Sequence, residues 1–184
     1  MTTTTHNQNN ALRTILWGLL LTKCFALEYF ATKYSAPINT TLYVWALSIL
    51  MASVATAVHL KLRFEEGVGR SGISTIQAVW VGAGLLIFLL LIAQNQLEAI
   101  SQQIYLPTAA LIIGACCTTQ GFMLRQLHHV ALGFGWSIGA AVLFRTESPS
   151  NYLVFSICIF ALQVIPSFVV LLSMRHRKKL VAQA

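Results

Sequence analysis

The chain has 184 residues, of which 57% are hydrophobic and only 9% charged, whereas a soluble domain carries about a quarter charged residues. Its mean hydropathy is +0.71, and the apolar residues fall in long runs between short polar stretches, as they do when lipid is the solvent. That excludes an ordinary soluble domain. The net charge of +7 does not point to nucleic acid, because the loops are too short to build a basic binding face.

In chain order, residues 1–10, MTTTTHNQNN, are polar and low in complexity and read as a disordered tail. They lack the basic start and cleavage site of a signal peptide, so the apolar segment behind them reads as a retained span. Crossing a bilayer takes about 20 apolar residues. Six segments qualify: Leu12–Thr32, Thr41–Leu60, Thr75–Ile92, Tyr105–Leu124, Val130–Phe144 and Tyr152–Ser173. The sequence thus predicts an all-α transmembrane domain over 11–174, six helices arranged as three hairpins, followed by a basic cytoplasmic tail over 175–184.

Charge sets the expected orientation. With the N-terminus inside, the inner face receives Arg13, Lys61, Arg63, Arg70, Arg125, Arg175, Arg177, Lys178 and Lys179, and the outer face only Lys33 and Arg145. Positive residues stay on the cytoplasmic side, so both termini are expected there. Tyr43, Tyr105 and Tyr152 then open the even-numbered spans at the outer interface, where amphipathic rings prefer to sit. Short loops and a retained first span suit a bacterial inner membrane. An offset of 62 residues pairs Tyr43 with Tyr105, Thr56 with Thr118 and Arg63 with Arg125, too few identities to establish a repeat.

The first span carries the chain's central anomaly. Lys23 lies beside the midpoint of Leu12–Thr32, about 15 Å from either surface of a ~30 Å hydrocarbon core. A charge there costs about 2.5–3.5 kcal/mol even on a mild insertion scale, so it belongs in a protein interior or a watery path. Glu28 is five residues on, about 7.5 Å along the axis and about 140° around it, a poor register for a bridge within one helix. Its partner is expected on another helix or subunit. Both residues read either as lining groups of a solute, ion or proton path or as locks between helices. A Schiff-base lysine has no supporting motif.

Farther along, Ser48, Ala52, Thr56 and His59 form a weakly polar stripe on the second span. Gly82 and Gly84 on the third span, with Gly133, Gly135 and Gly139 on the fifth, suggest close packing of those two helices. Gly135-Trp-Ser-Ile-Gly139 also spells the serine-hydrolase elbow, but that motif needs a strand-to-helix turn and here lies in an apolar helix. His59 and the pair His128 and His129 share the inner end of the bundle, where they are weak candidates for metal or haem ligands. Gln163 lies near the centre of the sixth span on a face with Ser156 and Ser167, and Pro166 removes a backbone donor beside it. Gln120, in the fourth span, reads as an interhelical hydrogen-bonding group. Cys24, Cys116, Cys117 and Cys158 all fall in apolar runs without metal-ligand spacing and read as core residues.

The expected function is passage of a small solute or ion, as a channel or carrier in the bilayer, with Lys23, Glu28 and Gln163 along the path. A fixed ammonium there favours an anion or serves as a proton relay, and a homo-oligomer is a natural way to enclose such a path. No catalytic residue and no cofactor is expected under that reading. The alternatives are a haem- or metal-binding redox subunit using His59, His128 or His129, and a non-catalytic accessory subunit whose buried charges select a membrane-complex partner.

Overall fold

The computed structural model describes residues 2–36, 43–51, 53–54, 75–95 and 101–183. Every element among these residues is helical. Helix α1 spans Thr2–Lys33, α2 residues 43–51, α3 Thr75–Asn95, α4 Gln102–Leu124 and α5 Leu127–Arg145. The final stretch runs without a break through α6, Ser150–Ile159, a π-helical turn, Phe160–Val164, and α7, Ile165–Gln183.

Four stretches have the length and apolarity to cross a bilayer: Thr14–Lys33, Gln103–Leu124, Leu127–Arg145 and Ser150–Met174. They coincide with the first, fourth, fifth and sixth expected spans. The fifth, the shortest by sequence, is a full 19-residue helix. The third is helical over Thr75–Asn95, with Ala78–Leu90 as its apolar centre. The second is helical at 43–51 and 53–54, and its remainder lies outside the described residues. Exposed Leu85, Leu89, Phe134, Ile138, Phe168 and Val169 give the helices an apolar exterior, which lipid accommodates and water does not.

The expectation of a disordered N-terminal tail differs from what is seen, because α1 is already helical at Thr2. A polar segment joined to a long apolar helix without an intervening glycine or proline needs only propagation, and no new nucleus. The basic run Arg175–Lys179 likewise continues α7 as helix to Gln183. Both α1 and α4 end in a left-handed residue that is not glycine, Ser35 and Arg125, each with φ of 52°. Behind them the Ala36 N–H donates to the Ala31 carbonyl, and the Gln126 N–H to that of Gly121, each at 2.9 Å. These 6→1 bonds are the Schellman closure, which satisfies carbonyls left over at a helix end.

Contacts divide the chain into two compact units, Met1–Glu66 with Ser156–Ala184, and Gly67–Phe155. In the first, α1 lies antiparallel to the C-terminal rod. A Cβ built on Gly18 would stand 2.8 Å from Val164 Cγ2, and the Ser156 hydroxyl donates to the Thr22 carbonyl at 2.9 Å. Residue 18 therefore opposes 164 and residue 22 opposes 156, so the numbers run in opposite senses. The π turn directly precedes Pro166, whose ring collides with the carbonyl four residues back in regular α-geometry. Widening the turn at Phe160–Val164, where the Ile165 N–H reaches the Phe160 carbonyl, relieves that collision inside the span.

In the second unit, α4 and α5 form the tightest pair, joined by Arg125 and Gln126 alone. A Cβ on Gly133 would collide with Thr118 Oγ1 and stand 2.7 Å from the Gly114 carbonyl oxygen, while one on Gly121 would be 2.7 Å from the Val130 nitrogen. The packed face of α5 is Gly133, Trp136, Gly139, Ala140 and Leu143. Gly135, the other glycine of the expected GxxxG pair, is only half-buried. The glycines therefore bring α5 onto α4, instead of onto α3 as the sequence suggested. On α3, nothing lies within 4 Å of a Cβ at Gly82 or Gly84 among the described residues. A two-residue link forces α5 back along α4, and α4 meets it with Gly114, Thr118 and Gly121.

Candidate functional site

Two clusters of hydrogen-bonded polar side chains stand on the apolar helices among the described residues. On α1, Lys23 and Glu28 have different surroundings, as their separation around the helix requires. Glu28 is half-buried and accepts a hydrogen bond from Trp45 Nε1 at 3.1 Å, so its partner is on another helix, as expected, but is a neutral indole and not a cation. Phe25 meets the Trp45 ring edge-on, centroids 5.1 Å apart at 84°. Beside them opens a cavity of about 270 Å³, lined among the described residues by Cys24, Leu27, Glu28, Phe30, Tyr34 and Trp45 and by small aliphatic groups. Glu28 is the one carboxylic acid in that lining. At the end of α1, the Lys33 ammonium donates to the Tyr29 hydroxyl at 3.1 Å. It also lies 5.4 Å from the Tyr29 ring centroid and 5.8 Å from that of Tyr34.

Lys23 is exposed, although its neighbours Cys24 and Phe25 are buried. Among the described residues it forms no ion pair, and the structure does not bring it to Glu28. Gln163 sits in the π turn beside Gly18 of α1, half-buried, its Oε1 3.9 Å from where a Gly18 Cβ would be. Lys23, Glu28 and Gln163 therefore belong to one unit but do not converge on one another through hydrogen bonds. Ser156, predicted to share the Gln163 face, is buried and spends its hydroxyl on the Thr22 carbonyl.

The second polar cluster lies on α3, α4 and α5. Trp80 Nε1 donates to Gln120 Oε1 at 2.8 Å, and the Gln120 amide nitrogen stands 3.4 Å from His129 Nε2. Because indole N–H can only donate, Trp80 fixes the Gln120 oxygen toward itself and turns the NH₂ toward His129. An amide NH₂ can only donate, so this contact is a hydrogen bond only to an unprotonated His129 Nε2. His128 lies against His129 with ring centroids 4.2 Å apart. His59 lies outside the described residues, so the proposed three-histidine set is represented by this pair alone. No group of three metal-ligating side chains occurs among the described residues.

Ser137, the serine of the hydrolase-like spelling, donates to the Gly133 carbonyl at 3.1 Å inside α5. It is engaged in its own helix and has no elbow. The four cysteines are free, with Cys24, Cys116 and Cys117 buried.

Sequence reasoning did not identify the two tryptophans that organise these clusters, Trp45 and Trp80. Each presents an N–H donor in an apolar helix, and such a donor needs an acceptor when buried. Glu28 and Gln120 are acceptors available at membrane depth, so the pairings carried a signal that went unread. Comparison with protein-family models, with characterised proteins and with solved structures finds no match for this chain, so these residues and their geometry carry the functional reading.

Proposed function

We propose that the protein is a six-span membrane protein, with both termini cytoplasmic, that passes a small solute or ion along a path bordered by Lys23. The observation that carries the proposal is an exposed ammonium in the middle of Thr14–Lys33, the part of α1 long and apolar enough to cross the bilayer. Lipid opposes a charge at that depth by about 2.5–3.5 kcal/mol. A water-filled path or the matching face of another subunit removes that opposition. A homo-oligomer supplies either one, because each copy brings the same unfilled face.

Antiparallel packing supports the even span number. If α1 and the C-terminal rod both cross the membrane in opposite senses, an even number of crossings separates them. Helices α4 and α5 contribute two, so the segments around α2 and α3 cross together or not at all. Their apolar lengths, Thr41–Leu60 and Thr75–Ile92, favour crossing, and six follows. The excess of positive residues on the face shared by the chain ends then sets the orientation.

Reconstitution into liposomes tests the proposal. Purified protein should carry chloride or protons across the bilayer, and Lys23→Met should remove most of that flux while helicity and elution volume stay unchanged. Equal flux from the variant and the parent protein would refute a path through Lys23.

A second reading takes His129 as a haem or metal ligand, which requires its Nε2 lone pair to be released from the Gln120 amide 3.4 Å away. The optical spectrum of the purified protein separates the two. A Soret band that sharpens on dithionite reduction and disappears in His129→Ala would establish the redox reading. A stable membrane partner that co-purifies with the parent protein and is lost in Lys23→Met would instead establish an accessory subunit.

A further inference from the structure

We propose that α1 helices from three or more copies of this chain stand around a common axis, and that Lys23 of each copy contributes to a ring of ammonium groups that draws a small inorganic anion through the centre. The inference rests on the transport reading of Lys23 and places the path between copies instead of inside one. Between Ile15 and Ala31 the exposed residues of α1 are Leu16, Leu19, Lys23, Leu27 and Phe30. Their spacing of three and four residues puts them on one stripe about 80° wide, with Lys23 at its centre and Leu19 and Leu27 about 40° to either side. The C-terminal rod occupies a different side of α1, through Gly18 against Val164 and Thr22 against Ser156.

Other helices carry exposed stripes of the same spacing, Val81, Leu85 and Phe88 on α3 and Ile165, Phe168 and Leu172 on α7. None of those residues is charged, and lipid covers such faces. Lipid does not cover the α1 stripe, because an ammonium near the midplane needs water or an opposite charge. The stripe of a second copy supplies no opposite charge. Glu28, the one acid on α1, lies about 7.5 Å farther along the axis and on another side, where it accepts from Trp45. Two copies face to face would press ammonium against ammonium. Three or more leave space on the axis, so that Leu19 and Leu27 meet the neighbouring copies on either side while Lys23 projects into water. Apolar residues at this spacing are what parallel helices use to pack around an axis, and a single lysine on such a seam fixes its register. Rings of lysine select anions in pores. The leucine rings on either side of Lys23 offer no hydrogen-bonding group, which restricts the passenger to a small ion.

The test uses the full-length chain with its four native cysteines replaced by alanine. Under copper-phenanthroline oxidation in membranes, Leu19→Cys and Leu27→Cys should each form disulfide-linked dimers at least tenfold faster than Phe168→Cys, and native mass spectrometry should count three or more copies. In planar bilayers, chloride should permeate at least tenfold better than potassium. That preference should vanish in Lys23→Met, reverse in Lys23→Glu and persist in Lys23→Arg. A monomer or dimer by mass, or cross-linking no faster than that of Phe168→Cys, would overturn the ring and leave a path within one chain standing. A selectivity unchanged in Lys23→Glu would overturn it as well. An oligomer that cross-links as expected yet conducts no ion would instead refute the transport reading, and the ring's role with it.

Discussion

The α4–α5 hairpin and the α1 helix solve opposite problems with similar apolar sequences. In the hairpin, Gly114, Gly121 and Gly133 let two backbones approach until no added carbon fits, and the polar hydroxyls of Thr118 and Ser137 fold back onto the carbonyls of Gly114 and Gly133. The exception is the Trp136 indole N–H, buried on that face with no hydrogen-bond partner among the described residues. On α1, one glycine marks a close approach, and the polar groups point away from their own backbone, Lys23 into the open and Glu28 toward Trp45 and a cavity. Where a membrane helix closes its polar groups on itself, it is built to pack. Where it holds them out, it is built to meet something else.

That contrast breaks most sharply at Gly133. A valine there meets the Gly114 carbonyl and Thr118 backbone, which cannot move without separating the helices, and overpacking of this kind costs about 3 kcal/mol. Thermal unfolding of Gly133→Val in detergent should show the loss as a much lower midpoint. Lys23→Met sharpens the contrast from the other side. In a watery path the ammonium is already solvated, so the variant should unfold within ~0.5 kcal/mol of the parent, a surface-like effect. If Lys23 faced lipid instead, the same change would stabilise by up to ~3 kcal/mol.

Smaller effects complete the series. Trp45→Phe leaves Glu28 without its donor but keeps an aromatic ring, and removing one such bond should cost about 1 kcal/mol, again read by thermal unfolding. Gly82→Ala and Gly84→Ala meet open space among the described residues. Each should be neutral or stabilising by up to ~1 kcal/mol through helix propensity, unless a second subunit packs on that face. Cross-linking would report that exception as an oligomer weakened by the substitution.

Four of the six expected spans return as helices long and apolar enough to cross a bilayer, legible because bilayer thickness dictates their length, and even the short fifth segment proved to be a whole helix. Lys23 and Glu28 were legible for a related reason, since an ionisable group at membrane depth is costly enough to be conspicuous. Which helices touch was harder to read. Gly82 and Gly133 look alike in sequence, yet among the described residues Gly133 is pressed against a neighbour and Gly82 is not, because a two-residue link returns α5 along α4. The partner of Glu28 was missed for want of a charge, as membrane acids can be held by neutral donors such as the Trp45 indole. Pro166 predicted a local disturbance, but its form, a π turn that carries Gln163 over Gly18, depends on how the neighbouring helix fits. The helical continuation of α1 back to Thr2 shows composition giving way to propagation from an adjoining span.

The central claim is that water reaches Lys23, and one measurement addresses it directly. With the four native cysteines replaced by alanine, Lys23→Cys in membrane vesicles can be treated with a membrane-impermeant trimethylammonium methanethiosulfonate from each side. The account predicts rapid modification from at least one side, slowed by a permeating ion. A thiol that stays unreactive from both sides in the native membrane, yet labels fully after denaturation, would contradict it and place Lys23 in a sealed contact between helices.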